Sequence, residues 1–369
     1  MQKAAVEGLG VIQFADIYRG RRVLITGHTG FKGSWLALWL CKLGATVTGI
    51  ALDPENAVCH WNGLVENIID HRQDIRDAEK VRDLVSAARP EIVFHLAAQP
   101  LVRRSYNSPL ETIATNVLGT ANVLDACRHL NSTKAIVAIT TDKVYENREW
   151  TWGYRENDQL GGGDPYSTSK AAAELVVECY RKSFFSAPDS ASLASARAGN
   201  VIGGGDWSED RLIPDVVRYL KRKEPIMIRY PDATRPWQHV LDCLAGYLLL
   251  GQKLLEGNRK FAGAWNFGPN LADKCSVKNL LERLQVHWPD LKWQVVEQIQ
   301  PHESMLLYLD HTKAATFLGW QPVWDLTQAL RATATWYQQF LLNNEVISQR
   351  QLKEYVSAAA ATGAVWVKQ

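Results

Sequence analysis

Tyr166 and Lys170 stand four residues apart in Tyr-Ser-Thr-Ser-Lys, with Pro165 before them and an apolar-periodic run after them. Proline at a first helical position and that periodicity predict a helix from Pro165 to Phe185. Positions i and i+4 share a helical face, so a phenol and an ammonium come to lie side by side. The cation favours the phenolate. A tyrosine with an ordinary pKa of ~10 could then take a proton from a hydroxyl near neutral pH. The plainer alternative, a chance pair on a helix surface, fits the motif taken alone.

A second set of proton carriers follows the run Ala135 to Thr140, which reads as a strand: Thr140-Thr141-Asp142-Lys143-Val144-Tyr145. Strand C-termini of an open α/β sheet line its ligand crevice. Thr141 is placed there to hydrogen-bond a reacting hydroxyl. Plain oxidation or epimerisation needs only a hydroxyl, a tyrosine and a lysine. Asp142 and Lys143 add carriers for a further proton transfer, such as an elimination; a solvated strand-end pair is the alternative.

Gly27, Gly30 and Gly33 form G-x-x-G-x-x-G between a strand, Val23 to Thr26, and a helix, Ser34 to Leu43. Glycine permits a tight turn, close approach of backbone to a pyrophosphate, and packing of helix on strand. The helix N-terminus then offers free N–H groups to phosphates, and Thr29, Phe31 and Lys32 complete the turn. Asp53 ends the second strand, Thr46 to Leu52, about 20 residues beyond the glycines, where a ribose-binding acid is expected. An acid there favours NAD over NADP. The alternative is a turn residue before Pro54. Asp74 and Ile75 follow a third strand and could meet an adenine amino group; Asp74 could equally be a helix cap before Arg76-Asp77. Leu96-Ala97-Ala98-Gln99 follows a fourth strand, Glu91 to His95, and puts Gln99 and Arg103 near the nicotinamide and substrate. The nicotinamide's positive charge would then add to that of Lys170 beside the phenol.

These residues require an alternation of strands and helices to position them. Ala78 to Ala88, Pro109 to Leu130 and Pro165 to Phe185 read as helices, and Ser192 to Ala198 as a strand. The fold class is α/β: a doubly wound parallel Rossmann sheet with a smaller C-terminal α/β substrate lobe. The rhythm breaks after Asn200. The division expected is an N-terminal extension, 1–20; a dinucleotide-binding domain, 21–199, with a returning segment near 238–265; a substrate lobe, 200–237 and 266–345; and a tail, 346–369. The net charge of +2 offers no field for nucleic acid or an acidic membrane. Six scattered cysteines read as reduced thiols, and nine histidines show no metal spacing, so no metal is expected. No signal peptide and no membrane span is read, and the expected location is cytoplasmic.

Together these features resemble the extended short-chain dehydrogenase/reductase superfamily, and more narrowly its nucleotide-sugar 4,6-dehydratases. The strand-end triplet there is usually Thr-Asp-Glu. The Thr-Asp-Lys found here is characteristic of the subgroup acting on CDP-glucose. Gly27 to Trp35, Trp152 to Asn157, Arg197 to Trp207, Arg235 to His239 and Pro301-His-Glu303 are similar to that subgroup, over about Arg21 to Asp325. The resemblance implies oxidation at C4 by NAD, loss of water across C5 and C6, and return of the hydride to C6. It implies that Tyr166 is the base for the 4-hydroxyl and that Asp142 protonates the leaving hydroxyl. Lys143 takes the position of the family's glutamate base, as base, relay or enolate stabiliser. It points to Asn200, the backbone around Leu212, and Arg235 for the substrate, with His302 and Glu303 as further candidates. Arg235 has a structural alternative, stacking on Trp237. Asn116 is expected to support the architecture on the cofactor side of the site. A homodimer or homotetramer is expected, with the two long helices paired as a four-helix bundle. A 4-epimerase or decarboxylase on the same scaffold would not require Asp142 and Lys143. A non-catalytic NAD-binding sensor would typically lack Tyr166 or Lys170.

Overall fold

Short apolar runs rich in β-branched residues and alanine become the strands of one parallel sheet. The computed structural model describes residues 11–55, 58–62, 64, 67–296 and 305–368. Seven strands form the sheet: β1 (Arg22–Thr26), β2 (Thr46–Ala51), β3 (Ile69–Arg72), β4 (Ile92–His95), β5 (Ala135–Ile139), β6 (Ser192–Ala198) and β7 (Ala264–Phe267). Their order is β7-β6-β5-β4-β1-β2-β3, all parallel. The chain leaves β1 in one direction and resumes on its other side with β4. That reversal opens a crevice at the strand C-termini.

Both faces of the sheet are covered, so its central strands are largely apolar. Val23 and Ile25 of β1 join one buried cluster and Leu24 joins the other, as side chains of period two must. The first cluster holds α1 (Phe31–Lys42), and the second holds residues of α2 (Ala78–Ala88). The crossover after β4 runs through α3 (Val102–Asn107), α4 (Pro109–Ile113) and α5 (Gly119–Arg128). Residues 109–130 were expected to form one uninterrupted helix. Instead a π turn, Ala114–Leu118, separates α4 from α5. After it, α6 (Pro165–Ser183) starts on Asp164, which accepts the Ser167 N–H at 2.9 Å.

Beyond β6 the chain builds α7 (Leu212–Arg222) and then α8 (Val240–Leu255), which is almost wholly buried in the first cluster. Next come α9 (Val277–Gln285), α10 (Leu326–Asn343) and α11 (Ser348–Ala361). Ile226–Ile228 pairs in parallel with Trp293–Val295. Thr234–Arg235 pairs antiparallel with Cys275–Ser276. In α11 the helical spacing of Leu352, Tyr355, Val356 and Ala359 seats a stretch read as tail into the first cluster. Ile12–Gln13 pairs with Val367–Lys368, and Phe14 stacks on Trp366 at 5.0 Å between ring centres. Among the described residues, no helix is long and apolar enough to cross a membrane.

Candidate active site

The glycine turn shows why its residues are glycine. Gly27 has φ +76°, and a Cβ there would lie 2.7 Å from the backbone nitrogen of Ala97. At Gly33 a Cβ would lie 2.1 Å from the Gly27 carbonyl oxygen. Gly30 faces open cavity, and no side chain caps the helix that starts after it. The free N–H groups of α1 thus point into the crevice. This is a cradle shaped for a pyrophosphate, so the residues fit a dinucleotide.

The crevice is a cavity of about 1040 Å³. It brings together Gly27, Thr29, Gly30, Phe31, Lys32, Gly33, Asp53, Asp74, Ile75, Leu96, Ala97, Ala98 and Gln99 at one end, with Thr141, Asp142, Lys143, Tyr166 and Lys170 beside them. Arg103, Asn200, Leu212 and Arg235 line its remainder. His302 and Glu303 lie outside the described residues. Asn116 does not line the cavity. It sits in the π turn, accepts the Gln99 N–H at 2.8 Å, and donates to the Gln99 carbonyl and to Ser169 Oγ. It ties the loop after β4 to α6.

Asp53 is largely exposed at the end of β2 and forms an ion pair with Arg72 at 3.3 Å. Asp74 is not the helix cap: Asp77 takes that place, accepting from the Lys80 N–H, while Asp74 closes onto the backbone and guanidinium of Arg76. Arg103 reaches across the cavity mouth to Asp210 at 3.0 Å.

At the chemical end, Thr141 donates to Asp142 Oδ1 at 2.9 Å. Asp142 is buried, and its Oδ2 has no partner among the described residues. Burial raises its pKa above the usual carboxylate range, against the pull of Lys143, Thr141, Arg235 and Lys32. Tyr166 is buried beside Thr141. Burial pushes its phenol up to about 12, and the hydrogen bond with Thr141 works the other way. Lys170 donates to the Ile139 carbonyl at 3.1 Å, and burial brings its ammonium down to about 8. In the protein alone, burial outweighs the groups that lower the phenol, Thr141 and Arg211.

Several cavity residues escaped sequence reasoning, among them Asp206, Arg211 and His60. Asp206 and Arg211 belong to the stretch where the strand–helix rhythm breaks, and their ion pair forms at 3.4 Å. The glycines of Gly203-Gly-Gly-Asp were a signal that this stretch approaches something closely. His60 comes from an irregular segment with no such signal. It is held by Ser34 Oγ at 2.7 Å and by Ser348 Oγ of α11 at 2.6 Å.

The family model for GDP-mannose 4,6-dehydratase matches residues 24–333. The chain belongs to that family. It is 46% identical to the CDP-glucose 4,6-dehydratase of Salmonella typhimurium, over 93% of this chain and 98% of that one. Among solved structures, the UDP-glucose 4-epimerase of Thermotoga maritima with UDP-glucose superposes with a TM-score of 0.75 at 23% identity, covering 86% of this chain and 99% of that one. The UDP-glucose 4-epimerase of Stenotrophomonas maltophila, with NAD and formylated UDP-arabinopyranose, gives 0.77 at 21% identity, covering 87% and 99%. At these identities the two structures speak for the fold alone. Nucleotide-sugar 4,6-dehydratases are hydro-lyases, and this chain is one of them.

Proposed function

We propose that the chain converts CDP-glucose to CDP-4-keto-6-deoxyglucose with NAD as its cofactor. The observation that carries this reading is Asp142, a buried carboxyl with one oxygen unpartnered, lying in the same cavity as Thr141, Tyr166 and Lys170. Epimerisation at C4 needs no such acid, whereas expulsion of a hydroxyl does. The similarity to the Salmonella enzyme supports the CDP-linked substrate.

NAD, when bound, supplies a hydride acceptor for C4 and a hydride donor for C6. The glycine turn and the start of α1 would hold its phosphates. Asp53 would meet its ribose; a carboxylate there repels a 2′-phosphate. Tyr166 takes the proton from the sugar 4-hydroxyl, which Thr141 holds in place. Lys170 keeps positive charge beside the phenol. The new ketone acidifies C5–H. Asp142, whose pKa burial raises, gives its proton to the departing 6-hydroxyl. Lys143, half-buried next to it, receives the C5 proton or holds the enolate's charge. Arg235, Asn200 and the backbone at Leu212 suit the diphosphate and sugar; a guanidinium offers two parallel donors to a phosphate. The assembly proposed is a homodimer through α4, α5 and α6.

The test is turnover of CDP-glucose with added NAD, followed by mass spectrometry, with UDP-, dTDP- and GDP-glucose in parallel. Loss of one water without net NADH is the expected result. An isomer of unchanged mass would establish an epimerase instead.

A further inference from the structure

Glu174 follows Lys170 by one turn of α6 and Tyr166 by two, so the three share one helical face. It does not line the cavity, and it is only 3% exposed. Its carboxylate takes four hydrogen bonds. Oε1 accepts from Thr140 Oγ1 at 2.5 Å and from Arg197 Nε at 2.8 Å. Oε2 accepts from Ser195 Oγ at 2.8 Å and from Arg197 Nη2 at 2.9 Å. Arg197 also donates to the Tyr145 hydroxyl at 2.7 Å, which in turn donates to Asn266 Oδ1 at 2.7 Å.

Thr140 and Tyr145 flank the turn that carries Thr141, Asp142 and Lys143. In extended chain, successive side chains point to opposite sides. With Thr140 anchored on Glu174, Thr141 is therefore delivered to the cavity. Tyr145, anchored on Arg197, fixes the other end.

We infer that Glu174 is a positioning residue for the acid–base chemistry: one carboxylate both fixes the turn bearing Thr141, Asp142 and Lys143 and keeps Lys170 an ammonium. This rests on the roles given to Tyr166 and Lys170 above. The groups facing Lys170 are Glu174 and Tyr166 on α6, Lys32 on α1, and His95 on β4. His95 is neutral, its pKa brought down to about 3 mainly by burial, and Tyr166 is a neutral phenol. Glu174 favours the ammonium, and Lys32 opposes it. The pair with Arg197 keeps Glu174 itself ionised in a buried site.

The experiment is trace acetylation of Lys170 with acetic anhydride across pH, read by peptide mass spectrometry on the protein without substrate or cofactor. Wild type is compared with E174Q, with E174Q/R197Q, and with T140V. The double variant removes both charges, so it avoids the unpaired guanidinium that could keep E174Q from folding. The expected result is a Lys170 midpoint lower by about one pH unit in both Glu174 variants. The alkaline limb of kcat/KM should move with it. T140V should leave the midpoint in place and lower kcat with little change in KM. An unchanged midpoint in whichever Glu174 variant folds overturns control of charge, and a wild-type kcat in T140V overturns control of the turn. If wild type turns over no nucleotide sugar, the functional reading fails, while the labelling still decides the role of Glu174.

Discussion

Asp142 accepts from Thr141 on one oxygen, its other oxygen is buried without a partner among the described residues, and burial raises its pKa. An amide in its place keeps the shape and removes the acid. D142N should lower the rate of water loss about 10²- to 10⁴-fold, the usual contribution of a general acid. Exchange of the C5 proton with deuterated water, read by NMR, should persist. Lys170 gives a second expectation. Burial brings its pKa down to about 8 from the ordinary lysine value of 10.5, so the ammonium is lost as pH rises through about 8. kcat/KM measured from pH 6 to 10 should fall along that limb. A flat profile would remove Lys170 from the mechanism. Tyr166, Lys170 and the glycines were legible in the sequence because their spacing is itself the geometry: a helical repeat, and a turn that tolerates no Cβ at Gly27 or Gly33. Asp206, Arg211 and His60 were not, because the fold brings them to the cavity from distant segments. The state of the phenol was also illegible. It depends on desolvation, and spacing does not report that.

At the scale of elements, the sheet strands and the helices that fill the crossovers were readable from period and composition. The break in the helix after Pro109 was not. A π turn inserts a residue without changing the apolar pattern enough to be noticed. Its effect is local and specific: Asn116 turns inward to hold Gln99 and Ser169. The same helices expose Leu110, Leu118 and Leu175, at 81%, 59% and 58%. Two copies packed along them would cover these side chains. L118E/L175E should convert the expected homodimer to a monomer in light scattering while leaving the far-ultraviolet circular dichroism unchanged. A wild-type protein that already runs as a monomer would refute the pairing.

Across the whole molecule, α8 and α11 are joined through Asp242. This buried carboxylate accepts from Val323 N–H at 2.7 Å and from the Tyr355 hydroxyl at 2.8 Å. Burial raises its pKa to about 7 from 3.8. The folded state therefore holds a proton that the unfolded chain releases. The associated stability is complete below about pH 3.8 and is lost as pH rises through about 7. Thermal unfolding should show Tm falling for wild type between pH 5 and 8, and falling much less for D242N, whose amide cannot ionise. The docking of α11 was hard to read beforehand because its apolar positions are spaced among alanines, so composition suggested a tail. That docking ends in the ladder of Ile12–Gln13 with Val367–Lys368, a pairing of two residues on each side. Pulled from Ile12 and Lys368, the ladder is loaded as a zipper: its hydrogen bonds carry force one after another, not all at once. It should therefore open early under tension, while the parallel sheet that carries the site is still intact.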